Sequence, residues 1–231
     1  MDSRLELLIG KEKIEQLKDT TILVLGLGGV GSYAVEALAR CFVGTLILVD
    51  YDTVSLSNMN RQIIALHSNI GKKKTEVCKE RILDINPNCH VMVYDLFYKE
   101  ENKEVFFNQN IDFVIDACDT IQSKKTIIEE CLKRKIPIIS SMGTGNKLDP
   151  TKFEITDIRK TSYDPIAKIL RKWVKDKKIK DKIPVVYSKE EPIKTTNHMI
   201  GSISFVPSCA GLLLTGYTIH TLLKKKENTN E

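Results

Sequence analysis

The stretch TILVLGLGGVGS, residues 21–32, decides the fold. Four β-favouring apolar residues, Ile22, Leu23, Val24 and Leu25, run directly into Gly26, Gly28, Gly29 and Gly31, and an apolar helical pattern (Ala34, Val35, Ala37, Leu38) follows at once. A strand, a glycine turn and a helix start in that order form a site for a phosphate. The glycines let the main chain approach a ligand, and the helix N-terminus offers free N–H donors and the positive end of its dipole. Such turns serve NAD, FAD, SAM and ATP alike, and some hold no ligand. The motif alone therefore points to a nucleotide without choosing one.

Outward from this turn, short apolar runs at 46–49, 91–93, 111–115 and 136–140 alternate with helical patterns at 30–42, 72–85, 102–108 and 123–133. Continuous rather than alternating apolar runs belong to parallel strands covered on both faces. Strands and helices in alternation predict right-handed crossovers and an α/β, doubly wound, mostly parallel, Rossmann-like sheet. Ligands of such sheets sit beyond the carboxyl ends of the strands, where Gly26, Asp50, Asp116, Asp119 and Ser141 fall. The organisation expected is one domain: a helical arm at 1–20, a nucleotide-binding core at 21–145, a basic segment at 151–200, and a closing strand and helix at 201–231. Short strands are expected at 153–156, 185–187 and 203–205 as antiparallel additions. Helices are expected at 165–174 and 210–223, with a charged linker at 175–182.

With 231 residues, 28% of them charged, the chain can bury a sizeable core. Its start lacks the basic, apolar and small-residue pattern of a secretory signal, and a cytoplasmic location is expected. The apolar stretch 203–223 is interrupted by Ser204, Pro207, Ser208, Thr215, Tyr217, His220 and Thr221. It reads as a buried core helix, with no membrane partner. Six cysteines are scattered without a C-x-x-C pair. Reduced, mostly packed thiols and no zinc site are expected. Residues 151–196 hold thirteen Lys/Arg against seven Asp/Glu, so the net charge of +5 resides there. A basic excess confined to one segment suggests a polyanionic partner such as RNA, although a solvated lysine-rich loop has the same composition.

Asp50 lies 19 residues past Gly31, where a carboxylate can accept from ribose hydroxyls, and a dehydrogenase would place one there too. The following residues do not suit a hydride carrier. Asp52, Asn58, Arg61, Gln62, Lys74 and Asp119 surround the turn with two cations and extra carboxylates. Singly, Arg61 and Lys74 read as surface cations and Asp119 as a helix cap. Together they suit adenylation, in which a carboxylate attacks the α-phosphorus of ATP and pyrophosphate leaves. Arg, Lys and Mg²⁺ then stabilise charge spreading over phosphate oxygens.

GLGGVGS (26–32), LVDYDTVSLSNMNRQ (48–62), GKKK (71–74), INP (85–87) and DACDT (116–120) resemble the ubiquitin-activating-like adenylyltransferase superfamily, which includes activators of sulfur carriers for thiamine and molybdopterin synthesis. The resemblance covers about residues 4–223. It implies that Gly26, Gly28, Gly29 and Gly31 line the ATP site with Asp50 on the ribose. It implies Asn58, Arg61 and Lys74 on the phosphates and Asp119 supporting Mg²⁺. Arg4 would reach a neighbouring subunit's ATP in a homodimer. Sulfur-carrier activators usually carry two C-x-x-C zinc pairs, absent here. LDPTKFEITD (148–157), Lys160-Thr161, Asp164-Pro165 and VVYSKEEP (185–192) instead resemble the tRNA threonylcarbamoyladenosine dehydratase branch. That branch uses ATP to activate the threonylcarbamoyl carboxylate on an adenosine beside the anticodon. The side chain's own nitrogen then closes a ring as AMP leaves.

The basic segment would grip tRNA through Arg171, Lys172, Lys175 and Lys178. A cysteine desulfurase or sulfur-acceptor protein is a further conceivable partner. The alternative activity is adenylation of the Gly-Gly terminus of a ubiquitin-like sulfur carrier. A dinucleotide-binding regulator without adenylation chemistry is a third. Cys209 is expected as a small core residue, because ring closure needs no enzyme nucleophile. His67, His90 and His220 read as structural or exposed. His198 falls in the basic segment near Gly201 and is not counted among the candidate site residues. Trp173 and Tyr163 could stack on a base, and at helical spacing are better placed to pin their helix to the body.

Overall fold

A computed structural model describes residues 3–195 and 200–227; His198 lies outside them. Strands β1 (Thr21–Leu25), β2 (Thr45–Val49), β3 (His90–Tyr94), β4 (Phe113–Asp116), β5 (Ile138–Ser141), β6 (Phe153–Asp157) and β7 (Pro184–Ser188) form a seven-stranded sheet ordered β3-β2-β1-β4-β5-β7-β6. Every pairing is parallel except β6 with β7.

The apolar runs are continuous because the sheet has a core on each face. Ile22, Val24, Leu46, Leu48, Phe113 and Ile115 point to one core. Their alternates Leu23, Leu25, Ile47, Val49 and Val114 point to the other. Helices α3 (Gly31–Arg40), α4 (Lys74–Ile85) and α8 (Phe205–Glu227) supply the first core through Val35, Leu38, Val77, Ile82, Ala210 and Leu214. Helices α5 (Glu104–Phe107), α6 (Ile121–Arg134) and α7 (Pro165–Asp176) supply the second through Phe106, Ile127, Ile128, Leu170 and Trp173. The amino-terminal arm is two short helices, α1 (Ser3–Ile9) and α2 (Lys11–Lys18). Only α2 buries apolar side chains, Ile14 and Leu17.

One expectation is refined and one corrected. The strand at 185–187, expected as an antiparallel addition, is β7: it pairs antiparallel with β6 and also parallel with β5, Ser140 opposite Val185 and Ser141 opposite Val186. Chain leaving β5 returns to its neighbour through β6 and α7, long enough for a parallel crossover; β6 alone is antiparallel. The closing strand at 203–205 does not form. Residues 201–203 are irregular and α8 begins at Phe205. A three-residue alternation is too short to fix a period, and the buried stripe Val206, Ala210, Leu214, Thr218 makes the chain helical from Phe205 onward, leaving Ile203 and Ser204 outside any strand. Pro207 sits in the first turn, where its missing N–H costs nothing.

Helix α8 is long and apolar enough to span a bilayer by length and composition, and half of its Phe205–Lys224 span is buried inside the fold. It lies directly on α3. A Cβ on Gly211 would overlap the Val30 carbonyl oxygen, and Thr215 Oγ1 donates to the Ala34 carbonyl at 3.0 Å. Gly211→Ala should therefore cost about 1–3 kcal/mol through overpacking, lowering Tm by several degrees. Scanning calorimetry showing wild-type Tm would refute this close contact.

Candidate functional site

The carboxyl ends of β1, β2, β4 and β5 open into a cavity of about 480 Å³. Its floor is the glycine turn. Gly26 has φ +88°, left-handed backbone that glycine adopts without strain, and a Cβ there would stand 2.8 Å from the Ala117 carbonyl oxygen. Gly28 and Gly29 line the cavity. Gly31 does not: a Cβ on it would overlap the Gly26 carbonyl, so it sets how closely α3 starts against β1.

Asp50 fastens the turn to the end of β2. Its Oδ2 accepts from Leu27 N at 2.6 Å, and its Oδ1 from Asp52 N at 2.9 Å. Burial pushes its carboxyl above the usual range, opposed by Lys74 and by those two N–H groups. Lys74 is the first residue of α4 and is buried, 4% exposed. A cation at a helix N-terminus faces the positive end of the dipole and is held there against a local preference. Asp52 holds it, with Lys74 Nζ 2.7 Å from Asp52 Oδ2.

Arg61 packs across Gly29, its Cγ 3.2 Å from where a Cβ would sit. Its NH1 donates to Ser57 O and Asn60 Oδ1, both at 3.0 Å. Asn58 is buried and accepts from Ser55 N at 3.1 Å, closing a short 3-10 turn at Leu56–Asn58. Asp119 is exposed at the rim, bonded by Thr120 Oγ1 at 3.3 Å. It does not cap α6: the N-cap is Thr120, with no side-chain cap bond. Asp52, followed by burial and then by Asp119 and Asp50, raises the phenol of Tyr51 between them. Among the described residues, Gln62 Oε1 and Tyr98 Oη are buried without a hydrogen-bond partner, and both residues line the cavity. An unmet buried polar atom costs about 1–3 kcal/mol, and a nucleotide offers partners for such groups. The cavity thus fits a polyphosphate nucleotide on this side.

Behind the cavity Lys124 and Asp116 are wholly buried, Nζ and Oδ2 3.1 Å apart, with Ser140 Oγ donating to the same oxygen at 2.5 Å. Burial works to lower the Lys124 ammonium, and Asp116 overrides it and raises it. Burial, then Asp116, hold the Cys118 thiol well above its ordinary value, so it stays protonated.

Gly26, Gly28, Gly29, Asp50, Asp52, Asn58, Arg61, Gln62, Lys74 and Asp119 meet around this one cavity. Arg4, Cys209 and the basic residues of α7 do not line it. His67, His90 and His220 are exposed. Among the described residues no group of three or more His, Cys, Asp or Glu could hold a metal ion. The sequence reading missed the far wall, where Thr144, Ser202 and Pro207 line the cavity. The pair Gly143 and Gly145 just past a strand was a legible signal for part of it.

Residues 2–231 match the ThiF family. A Bacillus subtilis tRNA threonylcarbamoyladenosine dehydratase is 48% identical over 242 residues, covering 97% of this chain and 95% of the relative. E. coli tRNA N6-threonylcarbamoyladenosine dehydratase in complex with AMP superposes with a TM-score of 0.93 at 35% identity, covering 98% of this chain and 95% of that one. The same E. coli enzyme in complex with ATP gives 0.92 at 35% identity, with the same coverage.

An Asp50→Asn protein keeps the side-chain volume but cannot accept from both N–H groups as a carboxylate does. Its ATP affinity should fall about tenfold or more, ~1.4 kcal/mol, the worth of one charge-assisted bond. Isothermal titration giving wild-type affinity would remove Asp50 from the site.

Proposed function

The chain belongs to the ThiF family, and from that we propose that it is an ATP-dependent tRNA threonylcarbamoyladenosine dehydratase. One observation carries the reading. Asp50, Arg61, Lys74 and Asp119 converge on one cavity, in a chain that matches enzymes of that name over nearly its whole length. Adenylation of a sulfur carrier is the weaker reading, because the sequence has no C-x-x-C pair.

In this reading an oxygen of the threonylcarbamoyl carboxylate attacks the α-phosphorus of ATP and pyrophosphate departs. Arg61 and Lys74 meet the charge that builds on the phosphate oxygens. The side chain's own nitrogen then attacks the activated carbonyl, loses its proton and closes the ring. The carboxylate oxygen leaves with AMP, a net dehydration. Asp50 takes the ribose, and Asn58 and Gln62 lie beside the phosphate path. Mg²⁺ would travel with ATP and screen its oxygens; Asp119, exposed at the rim, suits an ion that keeps phosphate and water as its other ligands.

Residues 21–145 serve as the nucleotide-binding core, 151–200 as the tRNA-facing segment and 201–231 as the closing element. Lys172, Lys175 and Lys178 are exposed and would contact the tRNA backbone. Arg171 is half-buried and donates to Thr161 Oγ1 at 2.6 Å, stiffening the same face. Residues 1–20 serve as a dimer arm, with Arg4 acting on a second copy's ATP. Leu7 and Leu8 on the same helix are 88% and 81% exposed, an apolar surface suited to a second copy. A cytoplasmic enzyme acting on tRNA is the corresponding location.

Wild-type protein with ATP and Mg²⁺ should release AMP only with tRNA carrying threonylcarbamoyladenosine, and EDTA should stop it. AMP release driven by a carrier protein with a Gly-Gly tail would establish the alternative. Arg61→Ala should lower kcat by about 10²-fold or more, the scale of losing one charge stabiliser. Mixed with Arg4→Ala protein, it should recover about a quarter of wild-type activity by random exchange in a two-fold dimer; no recovery would place Arg4 outside the neighbour's site.

Charge reversal at Arg171, Lys172, Lys175 and Lys178 should weaken tRNA binding and flatten its salt dependence, with ATP affinity unchanged. Unaltered tRNA affinity in a filter-binding assay would exclude this face.

A further inference from the structure

The cavity has a second side. At the carboxyl end of β5, Ser141, Gly143, Thr144 and Gly145 form a wall of small and hydroxyl-bearing residues, faced by Ile200 and Ser202. None of the six is charged, unlike the nucleotide side with its two cations and three carboxylates.

This wall is clamped from both directions. From behind, Lys147 Nζ donates to the Gly143 carbonyl at 2.7 Å and lies 3.3 Å from Asp164 Oδ2, both side chains 1% exposed or less. Asp164 Oδ2 fills the space beside Gly143, where a Cβ would stand 2.9 Å from it. From the front, Asn146 N donates to Gly201 O at 2.8 Å, Gly201 N donates to Asn146 Oδ1 at 2.6 Å, and Ile193 N donates to Asn146 O at 2.7 Å. Ile200 packs on Gly145 so closely that no Cβ fits there. Asn60 Nδ2 then donates to Ser202 O and Oγ, both at 3.0 Å, linking this wall to the neighbour of Arg61.

Asp164 has a second engagement. Its Oδ1 accepts from Ala167 N at 2.8 Å and caps α7, whose Ile166 reaches the cavity and whose exposed lysines form the basic face. One carboxylate therefore holds the wall with one oxygen and the start of the basic helix with the other. Two ionisable groups so deeply buried are costly unless paired, and here both are spent on fixing a loop that lines the cavity. Fixing a loop at this cost matches a need for placement to a fraction of an ångström beside a reacting centre.

We propose that the Gly143–Thr144–Gly145 wall is the subsite for the threonylcarbamoyl group, and that Lys147 and Asp164 are positioning residues that hold it and register it with the tRNA-facing helix. The chemistry fits: a short branched group bearing a methyl and a hydroxyl meets Ile200 on one side and the Thr144 and Ser202 hydroxyls on the other. The group's carboxylate is left toward Arg61. This inference rests on the dehydratase reading.

Three full-length proteins test it: Lys147→Met, Gly143→Ala and the conservative Lys147→Arg. Each is assayed for ATP affinity, affinity for unmodified tRNA, and KM and kcat with tRNA bearing threonylcarbamoyladenosine. Lys147→Met and Gly143→Ala should raise the KM for modified tRNA about tenfold or more, the scale of a displaced subsite, with Kd for ATP and for unmodified tRNA held within about twofold. Lys147→Arg should recover much of the loss. If Lys147→Met does not fold, Gly143→Ala decides, since it adds only one methyl beside Asp164. A wild-type KM in the folded variants overturns the subsite, as does a parallel fall in all three affinities, which marks general loosening. A wild-type enzyme that releases no AMP with modified tRNA overturns the dehydratase reading and this inference with it, an outcome separate from either.

Discussion

Helix α3 begins where it does because Gly31 lets its backbone rest on the carbonyl of Gly26. No side chain could occupy that gap, and nearly everything in the site follows from closing it. The close start brings the free N–H groups of α3 over the end of β1, at the point where the chain turns through a left-handed Gly26. With the turn so tight, Leu27 N faces the end of β2 and is taken by Asp50. Two neighbouring parallel strands, already joined at their ends by Gly26 N donating to Val49 O at 2.8 Å, are thereby joined again just beyond by a carboxylate. The joint is rigid, and it keeps the turn shaped for an anion before any anion arrives. Preorganisation of this kind lets backbone dipoles act on a phosphate without first paying to reorient.

Charge is distributed around that turn at a cost to the fold. Lys74 is buried at the wrong end of a helix and Asp50 is buried with its carboxyl raised. Lys124 and Asp116 are removed from water altogether. Hydrophobic residues of similar volume at such positions are often no less stabilising, so burial is not what these groups are best at. Their value is that charges in a low-dielectric wall act strongly on a ligand's developing charge. Lys124 stands one layer behind: it fixes Asp116 and Ser140 across the ends of β4 and β5, and so holds the floor on which Cys118 and Asp119 emerge.

The sheet was legible because parallel strands buried on both faces leave unbroken apolar runs, and strand β1 was expected and found at Thr21–Leu25. Turn chemistry carried the nucleotide half of the site for the same reason: glycine positions and the carboxylate after β2 are local signals. What the sequence could not carry was long-range pairing. The direction of β7 depends on β5, which no residue between 184 and 188 encodes, and the 203–205 alternation lost to a four-residue stripe in α8. Trp173 pins α7 as expected, being buried in the second core. Tyr163 does not, because it precedes the helix in a left-handed conformation (φ 53°) and is 64% exposed. Lys147 and Asp164 lie seventeen residues apart, and no local pattern in the sequence announces that they pair.

The two charge environments impose an order on how a polyanion can use this protein. Asp52 and Asp119 stand toward solvent at the cavity, with Asp50 buried within it, and the outer carboxylates repel a polyanion backbone over about a Debye length, ~8–10 Å at ordinary ionic strength. The basic excess lies elsewhere, on the outer face of α7 and the lysines that follow it. In the proposed reading, backbone phosphates held there would stay clear of the carboxylates, and a single extruded side chain would cross to Arg61 along the uncharged wall at β5. A nucleoside triphosphate, by contrast, would bring its own charge directly onto the glycine turn, beside which Arg61 and Lys74 line the cavity. Segregating the two anions in this way would let one small domain bind both without each expelling the other, and on that proposal the wall and the basic helix must keep a fixed distance.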